Sequence, residues 1–207
     1  MSESIHADAQ RSVLLVIDVQ NDFCPGGALA VPDGDAVVPV INQLANRFHN
    51  AVLTQDWHPH DHHSFASQHP GAAPFSSVSM PYGDQTLWPD HCVQHSAGAQ
   101  FHPELRVPCT QLVIRKGFRR GIDSYSAFFE NDRITATGLA GYLRERGLSQ
   151  LTVAGLATDF CVAYSAIDAA RLGFEVTVIL QACRAINLNG SLEQAIGQMR
   201  QAGVRLI

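Results

Sequence analysis

The chain has 207 residues, enough to bury a sizeable α/β core, and 46% hydrophobic against 16% charged residues excludes a disordered chain. A net charge of −5 gives no basic footprint for nucleic acid, and no apolar run approaches the roughly 20 residues that cross a bilayer. Cysteines 24, 92, 109, 161 and 183 form neither a zinc CxxC pattern nor a disulfide framework, so they are expected to be reduced thiols of a cytoplasmic protein.

Residues 1–11 are polar, lack the apolar stretch of a signal peptide and are expected to form a flexible tail. Apolar runs at 13–17, 51–54, 112–115, 151–155, 175–179 and 204–207 then read as six short buried strands. Helical patterns fill 35–48, 136–146, 161–172 and 190–202, and Pro39 predicts a later start or a bend in the first of them. Gly147, Gly173 and Gly203 are placed to end the other three in the left-handed conformation. This alternation predicts one domain over 1–207, a three-layer α/β/α sandwich around a six-stranded, mostly parallel sheet. The stretch 56–108 breaks the alternation and holds eight of the ten histidines, and a loop that long in a compact domain is usually functional.

Asp18, Lys116 and Cys161 each lie just past the end of a different apolar run. Ligands of open parallel sheets bind outside the carboxyl ends of the strands, so these three are expected to converge on one crevice. A carboxylate base, an ammonium that lowers a thiol pKa and a thiol nucleophile together spell a cysteine hydrolase. Cys161 opens a helical pattern, where free N–H groups favour thiolate and can hold an oxyanion. Taken singly, each has a plainer reading: a buried core cysteine, a loop carboxylate, an exposed lysine.

Asp56 and His58 stand two apart in extended backbone and project to one face, which suits Zn, Fe or Mn. His91 in Trp88-Pro89-Asp90-His91 offers a third donor, and a solvated histidine-rich loop is the alternative. His60, His62, His63, His69 and His95 read as surface residues, with His62 the first to watch as an extra ligand. Phe23, Leu29 and Trp88 are candidates for an aromatic slot or for ordinary core.

Together these residues resemble the nicotinamidase/pyrazinamidase branch of the isochorismatase-like cysteine hydrolases. The matching segments are Val16-Ile17-Asp18-Val19-Gln20-Asn21-Asp22-Phe23, Gln55-Asp56-Trp57-His58-Pro59, Trp88-Pro89-Asp90-His91-Cys92, Arg115-Lys116-Gly117, Asp123-Ser124-Tyr125-Ser126-Ala127-Phe128 and Gly155-Leu156-Ala157-Thr158-Asp159-Phe160-Cys161. The resemblance implies hydrolysis of nicotinamide, and of pyrazinamide, to the acid and ammonia through a thioester on Cys161. It implies Asp18, Lys116 and Cys161 as the triad and the amides of Ala157, after a cis peptide, and Cys161 as the oxyanion hole. One divalent ion, Zn foremost with Fe or Mn as alternatives, would sit on Asp56, His58 and His91. Phe23, Leu29, Trp88 and Tyr125 would contact small aromatic amides. A fourth carboxylate used by some relatives maps to Ser67, which leaves that ligand to water. No nucleic acid or membrane partner is expected, and a homo-oligomer is compatible with the sequence. A metal-free relative such as isochorismatase or an N-carbamoyl amidase, and a non-catalytic binding module, are the competing readings.

Overall fold

The computed structural model describes residues 9–207. Most of the expected tail lies outside the described residues; Ala9, Gln10 and Arg11 are exposed. The strands are β1 (Ser12–Ile17), β2 (Ala51–Asp56), β3 (Ser77–Met80), β4 (Gly83–Thr86), β5 (Thr110–Lys116), β6 (Gln150–Leu156), β7 (Glu175–Arg184) and β8 (Arg205–Leu206). The helices are α1 (Val37–Ala45), α2 (Leu139–Glu145), α3 (Ala163–Arg171) and α4 (Ser191–Gln201).

Six strands form one sheet in the order β5-β2-β1-β6-β7-β8, and every pairing is parallel, where a mostly parallel sheet was expected. The reason is visible in β1 and β2: every residue of both is buried, as when helices cover both faces. Successive residues of β1 divide between two cores. Val13, Leu15 and Ile17 pack toward α2, α3 and α4, whereas Leu14 and Val16 pack toward α1 and the loops around Phe23 and Trp88. Strand order reverses between β1 and β6, which places the crevice of the fold at their carboxyl ends. There Gly155 (φ +127°) faces Ile17, and a Cβ at that position would collide with the Ile17 carbonyl oxygen.

One element starts late, as Pro39 predicts, and two others depart from the sequence expectation. Helix α1 starts at Val37, so Pro39 sits in its first turn, where a missing N–H costs no helical hydrogen bond. Strand β7 runs five residues beyond 179, to Arg184, with a register irregularity against β6 that a period count does not detect. The long histidine-rich stretch contains a two-stranded antiparallel hairpin, β3–β4, whose polar strands carry no apolar alternation to announce it.

Candidate active site

Asp18 follows β1 and Lys116 closes β5, two strands away across β2, while Cys161 lies beyond β6. All three are buried. Lys116 Nζ stands 2.8 Å from Asp18 Oδ2 and 3.3 Å from Cys161 Sγ, and it donates to the Ser124 carbonyl at 3.0 Å. Asp18 adopts φ +46°, a left-handed conformation that Asp tolerates better than most residues. Thr54 of β2 fixes it twice: its Oγ1 donates to Asp18 Oδ1 at 2.6 Å and accepts from the Asp18 N–H at 3.1 Å.

Cys161 lies within one π-helical turn, Thr158–Val162, that precedes α3 rather than at the first residue of an α-helix. Such turns recur at functional sites because they displace a side chain from the regular helical spacing. The bond before Ala157 is cis, and Ala157 and Cys161 border the same slot.

The electrostatics correct one expectation. Burial pushes the Cys161 thiol well above its ordinary pKa, and the opposing Lys116 charge does not offset it. Burial likewise raises Asp18, against the pull of Lys116. Burial works against the Lys116 ammonium, but Asp18 and Asp56 outweigh it and hold the ammonium charged. The resting thiol is therefore protonated and needs a base, and the carboxylate beside it has a raised proton affinity.

Asp56 ends β2 directly opposite Lys116 on β5, with Oδ1 2.5 Å from Nζ. Its Oδ2 lies 3.6 Å from His58 Nε2 and 3.9 Å from His91 Nε2. Burial opposes ionisation of Asp56, but Lys116 and His58 hold its pKa below the usual carboxylate range. Gln20, buried, pins the Asp56 backbone by donating to its carbonyl at 2.9 Å and accepting its N–H at 2.8 Å.

The donor set fits a metal ion, by the following chemistry. His58 Nδ1 is 2.8 Å from the Gly117 carbonyl and His91 Nδ1 is 2.8 Å from the Pro89 carbonyl. A carbonyl only accepts, so each ring carries a proton on Nδ1 and turns its Nε2 toward the same carboxylate oxygen. Burial disfavours the His58 imidazolium, but Asp56 outweighs it and raises the His58 pKa, so a bound ion would replace a proton there. Gly117 (φ +65°) leaves room for the His58 ring; a Cβ there would stand 2.7 Å from Nδ1. Burial, reinforced by His58, lowers His91 to about 4, so it stays a neutral donor near neutral pH. Two imidazole nitrogens and one carboxylate suit zinc or a similar divalent ion.

His62 is buried, contrary to the surface reading, but its lone pair is spent. Its Nδ1 accepts the Ser64 N–H at 3.3 Å and lies 2.7 Å from Ser64 Oγ, so its proton is on Nε2, which is 3.3 Å from the Ile122 carbonyl. Ser67 is exposed and donates to Asp90 at 2.6 Å. His60 and His95 are exposed, and His63 and His69 half-buried.

Phe23, Leu29, Trp88 and Tyr125 line a narrow slot that also contains Asp56, His91, Ala157 and Cys161. The ring walls meet edge to face: Phe23 with His91 at 5.5 Å, and Trp88 with Phe160 at 4.9 Å. Phe160, Ile186 and Asp123 complete the lining. Phe160 and Asp123 stand inside segments singled out by the sequence, but nothing in their type distinguishes a slot residue from core or from a loop carboxylate. Phe65 is buried among the three imidazoles of His58, His62 and His91, with ring centroids 5.4–5.7 Å away.

A cysteine, a buried carboxylate and a lysine at the carboxyl edge of a parallel sheet define a cysteine hydrolase class, and this chain belongs to its isochorismatase family: the family model of the isochorismatase domain matches residues 12–207. The nicotinamidase of Acinetobacter baylyi is 56% identical over 199 residues, covering 96% of this chain and 93% of that protein. The solved structure of the Acinetobacter baumanii nicotinamidase pyrazinamidase superimposes with a TM-score of 0.95 at 58% identity, covering 96% of each chain. The Pyrococcus horikoshii pyrazinamidase, solved in complex with zinc, gives a TM-score of 0.77 at 32% identity, covering 95% of this chain and 98% of that one.

Proposed function

We propose that this protein is a metal-dependent nicotinamidase that also hydrolyses pyrazinamide, working through a thioester on Cys161. One observation carries the reading: Asp56 joins the Asp18–Lys116–Cys161 cluster to a pair of imidazole Nε2 atoms through its two oxygens. A cysteine nucleophile and ligands for an ion that would bind a ring nitrogen thus share one aromatic-walled slot. The names of the relatives support the substrate.

In the proposed sequence Asp18 takes the proton of the Cys161 thiol, and the sulfur attacks the carboxamide carbon. The amides of Ala157 and Cys161 hold the developing oxyanion. The C–N bond then breaks as Asp18 returns the proton to the nitrogen, releasing ammonia and leaving the acyl thioester. A water, deprotonated by Asp18, adds to the thioester and expels Cys161, which recovers its proton as the acid departs. A raised Asp18 pKa suits both directions of transfer, because the group must accept from a buried thiol and later donate to an amine. Lys116 stays charged beside both partners and stabilises whichever of them is anionic.

Asp56, His58 and His91 would hold the ion, with water in the remaining positions, and zinc is favoured by the donor types. When bound, the ion supplies a Lewis-acid anchor for the pyridine nitrogen, which orients the ring. Phe23, Leu29, Trp88 and Tyr125 flank the ring. The one-domain reading of residues 1–207 and a cytoplasmic setting belong to the same proposal; five free cysteines support the reducing compartment. Ammonia release from nicotinamide, pyrazinamide and benzamide, with metal content measured on the same sample, tests it. No release from nicotinamide by the metal-loaded protein overturns it.

A further inference from the structure

Gln85 is buried on β4, although its strand neighbours Gly83 and Asp84 are exposed. Its amide nitrogen lies 2.8 Å from Asp123 Oδ2, 2.9 Å from Tyr125 Oη and 2.7 Å from the Thr86 carbonyl. Its Oε1 accepts from the Tyr82 hydroxyl at 3.1 Å and from Asn131 Nδ2 at 3.2 Å. Turning the amide over would set Oε1 against a carboxylate and a carbonyl, neither of which donates, so its orientation is determined. Tyr125 is gripped at both ends. Its hydroxyl meets Gln85 and accepts from Trp88 Nε1 at 3.0 Å, while its backbone N–H donates at 3.0 Å to Asn131, itself bonded to Gln85. Asp123, whose Oδ1 accepts the Ser124 N–H at 2.8 Å, has its other oxygen on Gln85. Asp123, Tyr125 and Trp88 all line the slot, and Gln85 does not.

We propose that Gln85 is a positioning residue for substrate recognition, holding Tyr125, Trp88 and Asp123 at the ring-binding wall from the β3–β4 hairpin behind it. The proposal rests on the nicotinamidase reading of the slot. Gln85 touches neither Cys161 nor Lys116, so it acts on ring binding more than on the chemical step, and its loss separates KM from kcat.

The test compares full-length wild type, Gln85→Met, Gln85→Glu and the double variant Gln85→Glu/Asp123→Asn. Three readouts are taken: nicotinamide kinetics, the rate of Cys161 alkylation by iodoacetamide, and the Trp88 indole N–H resonance, assigned with Trp88→Phe. Each single Gln85 variant is expected to raise KM at least about tenfold and shift the indole resonance, with kcat and alkylation within about threefold. The double variant restores a donor–acceptor pair across the same 2.8 Å contact but leaves the Thr86 carbonyl facing an oxygen. Its KM is therefore expected to fall at least about threefold below that of Gln85→Glu without reaching wild type, with the resonance moving back part of the way. An unchanged KM in the single variants overturns the proposal, as does a double variant without recovery. Parallel collapse of kcat and alkylation also overturns it, because that marks general loss of packing. A wild type inactive on nicotinamide fails the substrate reading instead, and the indole resonance then decides the role of Gln85 alone: no shift in the single variants overturns it.

Discussion

Asp56 and Lys116 occupy paired positions on neighbouring parallel strands and meet at 2.5 Å, which ties the thiol cluster to the imidazole pair through one carboxylate. The two halves of the site are therefore electrostatically one object. Asp56→Asn keeps the volume but removes a charge that both Lys116 and the metal ligands face. Metal content below about a tenth of wild type and at least a 100-fold loss of ammonia release are expected together, on the order of what lost ligands cost. His60→Ala and His95→Ala alter exposed rings and should leave both within about twofold. Metal retained in full by Asp56→Asn would remove it from the ligand set.

Cys161→Ala should abolish turnover while the fold and metal content persist, because the covalent route needs the sulfur. Cys92, also buried, has its thiol pushed well above its ordinary pKa by burial and by the nearby carboxylates, and Cys92→Ala should remain active. Lys116→Ala removes the cation that draws the Cys161 pKa down against burial, so alkylation at neutral pH should slow markedly. Equal alkylation rates in wild type and Lys116→Ala would contradict that role.

Benzamide has nearly the shape of nicotinamide but no ring nitrogen to offer the ion. Its kcat/KM should fall at least about 100-fold below that of nicotinamide, since each 1.4 kcal/mol of lost positioning is about tenfold. Pyrazinamide keeps a nitrogen in the same place and should react well. Comparable rates for benzamide would leave the cysteine chemistry standing and remove the ring anchor.

Glu130 is buried, with Oε1 3.3 Å from Arg119 and, among the described residues, no hydrogen-bond partner for Oε2. Burial, against the pull of Arg119, raises its pKa from 4.5 to about 7. A carboxyl raised on folding stabilises the fold in its protonated form. That contribution is complete below about pH 4.5 and disappears as pH rises through about 7. Glu130→Gln stays neutral throughout, so its Tm relative to wild type should climb between those limits and level off above. A Tm difference that does not change with pH would exclude the shift.

Much of the architecture was legible in the linear chain because buried parallel strands leave continuous apolar runs and because helices end at Gly147, Gly173 and Gly203. The strand-end placement of Asp18, Lys116 and Cys161 is also a local property, since a polar residue after an apolar run marks where a strand leaves the core. Asp56 and His58 were paired by the two-residue period of extended backbone, which needs no tertiary information.

What lay beyond the sequence was everything decided by mutual distance and by exclusion of water. Composition suggests that a lysine lowers the pKa of a nearby thiol; only burial on every side reverses the net effect at Cys161. His62 and His91 are the same residue type in the same polar stretch. Their difference is which ring nitrogen a neighbour occupies, Ser64 taking the lone pair of one and the Pro89 carbonyl the proton of the other. Gln85 belongs to the slot through Asp123 and Tyr125, 38 and 40 positions away, and its own strand is too polar to signal burial. Residue type and spacing determine which groups reach the carboxyl edge of the sheet. The charge they carry there, and the lone pair they present, follow from a low-dielectric packing that only the folded chain creates.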